Sequence, residues 1–415
     1  MISVRSLATD SKNQQKADVI VAGGGTAGIA AAVCAARDGA QTLLIERRGA
    51  LGGMACNALV HTLCGLYLLR DDDTHPLAYS NEGFPREFAE RLIAAGGASS
   101  PVRMGKLDVL PHDPTALAAV ADNLTRRTPN LTVFLHTDLT RVETAAGQIQ
   151  AVQLRSQGCA MEVSVKSLID ASGDAEAVAL AGADFEVAPT DRLQRPAYIF
   201  GIGGALENAL AGDARLKLAH LISSAVTSGH LSSEALGVAF RHGMGKSEIW
   251  ATLDLQADPY DPCLPECLSR VESCGRRVSL EIIRFLRLHA PGFENAEITR
   301  TPLQAGIRES RRVSGVASLT GEDILHGRLG ENPVALACWP LELRENARGA
   351  RLRFPTENRP AGISLDCLRS RTYKNLFVAG RCISCTHEAQ ASIRVTGTCL
   401  ATGEAAGKAA AAFSK

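Results

Sequence analysis

The sequence predicts an α/β protein in which a nucleotide-binding domain, assembled from separated pieces of chain, carries an antiparallel meander and an inserted α+β domain. Three observations predict it. A glycine-rich turn joins an apolar strand to an alanine-rich helix near the N-terminus, and a second strand, loop and small-residue helix close the chain. Between them lie short alternating runs and two long stretches that fit neither pattern. The 415 residues suffice for two or three domains. With 21% charged and 46% hydrophobic residues, the chain is neither a disordered polymer nor a membrane protein. Its 44 basic and 44 acidic residues leave no positive excess to attract nucleic acid or an anionic membrane.

Residues 1–17 are polar and lack the apolar segment of roughly 7–15 residues found in secretory signals. They read as a frayed tail, and the protein is expected to be cytoplasmic. A chain of this length needs no disulfide staples, so its twelve cysteines read as reduced thiols, a metal site or redox chemistry.

Residues 19–22 are apolar and β-branched, a buried strand. Gly23, Gly24, Gly25, Thr26, Ala27 and Gly28 follow, then an alanine-rich helix over 29–37 that Gly39 ends. A second strand over 41–45 closes on Glu46. This is a Rossmann unit of about thirty residues. Gly23 allows the tight turn, Gly25 lets the backbone approach a pyrophosphate, and Gly28 lets helix and strand pack closely. N–H groups at the helix start, those of Thr26 and Ala27 among them, face the phosphates with the positive end of the dipole. Glu46 is placed to accept from an adenosine ribose, and its charge repels a 2′-phosphate. The unit alone leaves FAD and NAD both open.

Further along, Asp113 and Pro114 start a helix that runs to Arg127. Residues 131–169 alternate in short runs broken at Ala146-Gly147 and Gln157-Gly158, an antiparallel meander. Residues 18–58, 111–189 and 360–415 are assigned to the nucleotide-binding domain, and 59–110 and 190–359 to a cap domain that selects substrate. The second insertion holds a helical stretch over 265–289. Asp71, Asp72 and Asp73 read as a solvated loop, since adjacent acids cannot converge on one ion without a tight turn. No metal site is expected. Cys263, Cys267 and Cys274, spaced by four and seven, suit one helical face better than zinc.

Residues 375–381 (NLFVAGR) read as a buried strand breaking at Gly380 and Arg381, and 397–412 as a small-residue helix. Here the sequence resembles FAD-dependent oxidoreductases related to the fumarate reductase and glutathione reductase flavoproteins. The branch it resembles carries a NLFVAGRCIS-type strand, a THEA…SIRV-type loop and a C-terminal small-residue helix, found here at 375–384, 386–395 and 397–408. Three further stretches are similar to that branch: Ser172-Gly173-Asp174 after a strand, the arginine-rich 306–312, and Gly52-Gly53 after Glu46, flanked by Arg47 and Met54. The resemblance implies FAD held at its adenosine end by Glu46. It also implies a helix start near Gly397 and Thr398 that faces the flavin's pyrimidine edge, where negative charge grows on reduction.

Several residues are candidates for chemistry. Cys382 and Cys385 form a CxxC beside the expected flavin, a dithiol or a pair of small core residues. Cys56 and Cys64 are too far apart in sequence for the redox pair of disulfide-reducing flavoenzymes; on one helix their sulfurs would lie about 12 Å apart. His387 and Arg394 precede the last helix, and Arg308, Arg311 and Arg312 lie on the arginine-rich segment. From Arg300 to Arg394 there are 15 basic and 9 acidic residues, an excess suited to an anionic substrate. His387 is expected to be the acid or base, with Arg394 and Arg308 as anion contacts and His61 as a weaker candidate. The expected activity is hydride transfer between flavin N5 and a small polar or anionic substrate, without nucleic acid or membrane partners. Its second electron carrier and any homo-oligomerisation are left open. The alternative is a flavin electron-transfer subunit that serves a protein partner.

Overall fold

The computed structural model describes residues 15–415, apart from 73, 246–247, 257–258 and 347–348. Strand β1 (Gln15–Ala22), helix α1 (Thr26–Arg37) and strand β2 (Thr42–Ile45) form the N-terminal unit, with Val19 opposite Thr42 and Ala22 opposite Ile45 in parallel register. The strand therefore starts at Gln15, inside the stretch read as tail, because residues 15–17 pair with Val163, Ser164 and Val165. The rest of that expected tail, residues 1–14, lies outside the described residues.

Leu131–Phe134, β2, β1, Cys159–Asp170 and Leu376–Val378 make the parallel part of a seven-stranded sheet. Gln148–Ser156 and Asp138–Ala145 continue it antiparallel beyond the long strand Cys159–Asp170. The meander is thus fused into the sheet, and 131–134, read as its first run, is instead the parallel edge beside β2. The glycines at the meander's breaks supply left-handed turns: Ala146 and Gly147 have φ +51° and +72°, Gln157 and Gly158 +48° and +85°. Asp113 caps helix Pro114–Arg127 by accepting from Ala116 N at 2.9 Å.

The C-terminal helix, Thr396–Phe413, lies directly on α1. Its glycines explain how. A Cβ on Gly403 would sit 2.2 Å from the Ala27 carbonyl oxygen, and one on Gly407 would sit 2.3 Å from that of Ala31. Small residues on both helices let their backbones touch, which pins the last helix to the glycine turn that starts α1.

A second core occupies residues 188–305. Its antiparallel sheet runs Val238–His242, Ile249–Asp254, Ala197–Gly203, Glu297–Arg300, backed by helix Pro265–His289. Gly275 of that helix sits against the Tyr198 ring, where a Cβ would fall 2.2 Å from Cδ2. Side-chain packing divides the chain more tightly than the assigned cap boundaries. Leu63, Phe84 and Leu92 from 59–110, and Val313, Ile324 and Leu341 from 190–359, belong to the first core. Among the described residues, no helix is long and apolar enough to cross a membrane.

Candidate functional site

A cavity of about 460 Å³ opens between the C-terminal ends of the parallel strands and the cap sheet. Ala22, Glu46, Ala171 and Ala379, each at or just past a strand end, form its floor, as expected for an open α/β sheet. Ile199, Ala239, Arg241 and Thr252 of the cap sheet form its roof.

At one end the glycine turn separates into two kinds of residue. Gly23 has φ +103°, and a Cβ there would lie 2.6 Å from the Ala171 oxygen; one on Gly28 would lie 1.8 Å from the Gly23 oxygen. Both are glycine because protein fills the space. Gly25 differs: its φ is an ordinary −68°, and the nearest atom to a Cβ is Gly53 Cα at 3.8 Å. Nothing in the chain requires a glycine there, and the bare side faces the cavity. That cradle fits a pyrophosphate. Glu46 is buried, accepts from Gly24 N at 2.7 Å and Arg48 N at 2.8 Å, and lines the cavity with oxygen lone pairs to spare for a ribose. The residues present therefore fit an extended adenine dinucleotide.

Other predicted cofactor contacts divide similarly. Thr26, Ala27, Arg47, Gly53, Met54, Ser172, Gly173, Gly380 and Arg381 line the cavity. Gly52 lies behind it, donating to the Gly24 oxygen at 2.8 Å. Asp174 accepts from Arg381 and Ser310, each at 2.7 Å; burial opposes its ionisation, but Arg381 holds its carboxyl below the usual range. Gly397 and Thr398 are placed differently from the expectation. The Gly397 N–H is taken by the Cys64 oxygen at 2.8 Å, and a Cβ there would strike Gly65. Thr398 is fully buried, and it is Thr396 and Cys399 that reach the cavity.

Cys382 and Cys385 do not reach it either. Both are buried; Cys382 Sγ points at the Asp170 and Ala379 carbonyls, each at 3.6 Å. Burial pushes the Cys385 thiol up to about 12 and that of Cys382 well above its ordinary value, which removes the thiolate a redox dithiol needs. Cys56 and Cys64 do not share a helix: Cys56 donates to Pro114 O at 3.1 Å, and Cys64 follows strand Thr62–Leu63. Asp71 pairs with Lys106 at 2.7 Å, and Asp72 accepts from the Thr74 N–H and hydroxyl; Asp73 lies outside the described residues. No metal-ligating cluster occurs among the described residues.

His387 begins a short helix, His387–Ile393, where a loop was expected. Both ring nitrogens are engaged: Nδ1 with Glu309 at 2.8 Å and Nε2 with Glu345 at 3.0 Å. It does not line the cavity, so the proton role expected of it has no substrate within reach. Burial alone would lower its pKa, but Glu309 reverses this and raises it. A raised folded-state pKa gives stability that is full below the ordinary histidine value and lost as pH rises through the higher one. His387→Gln is therefore expected to destabilise most at about pH 6 and least at about pH 9, by urea denaturation at both. An equal loss at the two would contradict the ion pair.

At the other end of the cavity the predicted Arg308 and Arg394 meet residues the sequence reading missed, Arg241 and Arg344. Arg241, Arg308, Arg344 and Arg394 converge with Trp339, Leu107 and Val109. Asp254 ties two of these together, accepting from Arg308 at 2.7 Å and Arg344 at 2.6 Å. Glu342 accepts from Arg344 at 2.8 Å and the Trp339 indole at 2.9 Å; burial opposes its charge, yet Arg344 and Arg394 hold its pKa at about 2. Four guanidiniums thus face two carboxylates. Arg308 is spent on structure, through Asp254 and the Arg195 carbonyl at 2.6 Å. Arg394 is not: its Nε is shielded from solvent with no partner, and its Nη2 makes only long contacts, 3.3 and 3.4 Å. Arg241 has a thioether, Met104 Sδ at 3.3 Å, as its neighbour. Arg241 sits on the short strand Val238–His242 and Arg344 just past the strand Leu341–Leu343, in stretches of no recognisable motif, so only their charge among apolar neighbours marked them.

The FAD dependent oxidoreductase family model matches residues 18–415, and the chain belongs to that family. It is an enzyme, and its cofactor is FAD. The chain is also similar to three solved structures, each aligned over 96% of it. A geranylgeranyl bacteriochlorophyll reductase-like protein of Thermoplasma acidophilum shares 17% identity over 78% of its own chain, with TM-score 0.45. A triple mutant of the flavin-dependent brominase Bmp2 shares 13% over 80%, with TM-score 0.48. GidA of Aquifex aeolicus shares 14% over 64%, with TM-score 0.47.

Proposed function

We propose that this FAD-dependent oxidoreductase transfers a hydride between its flavin and a small carboxylate-bearing substrate, whose anion is held by Arg394 and Arg241. The observation that carries this reading is Arg394, which lines the cavity with its Nε unpartnered and its Nη2 making only long contacts. An orphaned guanidinium donor costs free energy unless a ligand satisfies it. Burial lowers the Arg394 pKa to about 10, which still leaves it cationic at neutral pH.

When bound, FAD supplies the two-electron chemistry. The protein's own residues bind, orient and dry the site. Gly25 and the start of α1 leave room for the pyrophosphate, and Glu46 is positioned for the ribose. Asp254 and Glu342 fix Arg344, while Trp339, Leu107 and Val109 give the anion's organic body an apolar wall. The cap sheet covers this end, which strengthens charge–charge contacts by excluding water. An electron-transfer subunit would instead present its flavin on an open face.

Arg394→Gln is the test. Isobutyrate, an unreactive monocarboxylate, is expected to bind the FAD-loaded variant about 10–100-fold more weakly than wild type, the worth of one charge-assisted hydrogen-bond donor. FAD content should be unchanged. Equal isobutyrate affinity in the two proteins would remove Arg394 from the substrate site.

A further inference from the structure

We propose that His61 is the catalytic base of this site, and that it accepts the hydroxyl proton of a 2-hydroxy acid, so the enzyme runs in the direction of substrate oxidation. This rests on the anion site described above and deepens it.

His61 is held on two sides. Its Nδ1 lies 3.2 Å from the Leu59 carbonyl oxygen, which can only accept, so Nδ1 carries the proton. Leu59 has φ +55°, a left-handed conformation that L-residues adopt at a cost. The ring stacks on Trp250 of the cap sheet with centroids 4.8 Å apart and planes 11° from parallel. Trp250 is itself buried, with the Arg300 guanidinium over its ring at 5.7 Å. Tautomer and ring plane are both fixed.

What this leaves is Nε2. It makes no hydrogen bond among the described residues, and the side chain lines the cavity. A neutral imidazole with Nδ1–H presents a bare lone pair at Nε2. His387, by contrast, has both nitrogens engaged by carboxylates.

Burial, more than any charge, keeps His61 neutral. Burial, then His112 and Arg241, push its pKa down to about 3, against the opposing pull of the Leu59 carbonyl. A carboxylate seated on Arg241 offsets only the smallest of these effects, and burial still keeps the ring unprotonated, with the Nε2 lone pair free to accept. The step balances with the family's cofactor as oxidant. The hydroxyl proton goes to Nε2, the carbinol hydrogen leaves with its electron pair to FAD, and a carbonyl forms. Substrate carbon loses two electrons and FAD gains them.

The test uses 2-hydroxyisobutyrate and isobutyrate. They differ by one hydroxyl, and the first has no carbinol hydrogen, so neither turns over. Wild-type FAD-loaded protein is expected to bind the hydroxy acid about tenfold more tightly, as one hydrogen bond onto a bare acceptor allows. His61→Phe keeps a ring against Trp250 and should bind both acids equally, whereas Arg394→Gln should weaken both. Histidine ¹⁵N spectra of wild-type protein give a check that needs no variant. One imidazole in the Nδ1–H form should shift at Nε2 with 2-hydroxyisobutyrate and not with isobutyrate. A preference that survives in His61→Phe, or a wild-type protein without one, overturns the base while leaving the anion site standing. Wild-type protein that binds neither acid fells the anion site itself.

Discussion

Gly25→Ala yields a folded protein that no longer retains FAD. The two outcomes separate because the backbone at Gly25 already has φ −68° and a Cβ meets only Gly53 Cα, at 3.8 Å. Alanine costs the apo-protein nothing in strain and little in packing. The same methyl group projects into the cavity beside the helix start, where it holds phosphate oxygens away from the N–H groups of α1. Losing two charge-assisted hydrogen bonds at about 1.5 kcal/mol each weakens binding about a hundredfold. Gly28→Ala is the control. Its Cβ would lie 1.8 Å from the Gly23 oxygen, so it should destabilise the apo-protein itself. Thermal melts of the apo-proteins and the flavin-to-protein absorbance ratio after gel filtration measure both. An alanine at 25 that retains FAD would contradict the cradle.

Asp254→Ala produces the largest loss of stability. Asp254 is 2% exposed and lies between Arg308 and Arg344, and Arg308 comes from the segment that follows the second core. Removing the carboxylate leaves two buried guanidiniums facing one another, with Glu342 the one carboxylate still bonded to Arg344 and only the Arg195 carbonyl on Arg308, a loss of about 3–5 kcal/mol. Burial opposes the charge on Asp254, yet the two arginines hold its pKa below the usual carboxylate range. A depressed folded-state pKa gives stability present above the unfolded carboxylate value and lost as pH falls through the folded one. The penalty of the variant, read by urea denaturation, should therefore be full at neutral pH and shrink in acid. A loss under about 1 kcal/mol, the size of an exposed pair, would contradict the buried bridge.

Local signals were legible in the sequence wherever the backbone itself does the work. The turn at Gly23, Gly25 and Gly28, the Asp113 cap and the helix Pro265–His289 all stand where residue type and spacing put them. Glu46 was legible because it ends a short buried strand. The strand at 131–134 was misassigned because its partner β2 is some ninety residues away, and alternation carries no information on partner or direction. His387 misled because a histidine beside a motif looks the same whether it faces a cavity or two carboxylates. Glu309 and Glu345 lie 78 and 42 residues from it. His61, ranked below it, reaches the cavity because Leu59 turns left-handed and Trp250 offers a ring, neither of which the local pattern announces. Arg241, Arg344 and Glu342 meet only through the tertiary fold.

The central claim is that a carboxylate binds beside the flavin in order to react there. Anaerobic mixing of the FAD-loaded protein with small 2-hydroxy acids and with their carboxamides, followed by the visible absorbance of oxidised flavin, tests it most directly. The acids are expected to bleach the flavin, and the neutral amides are expected to leave it oxidised. Amides that bleach it as fast as the acids, or acids that leave it oxidised, would contradict the account.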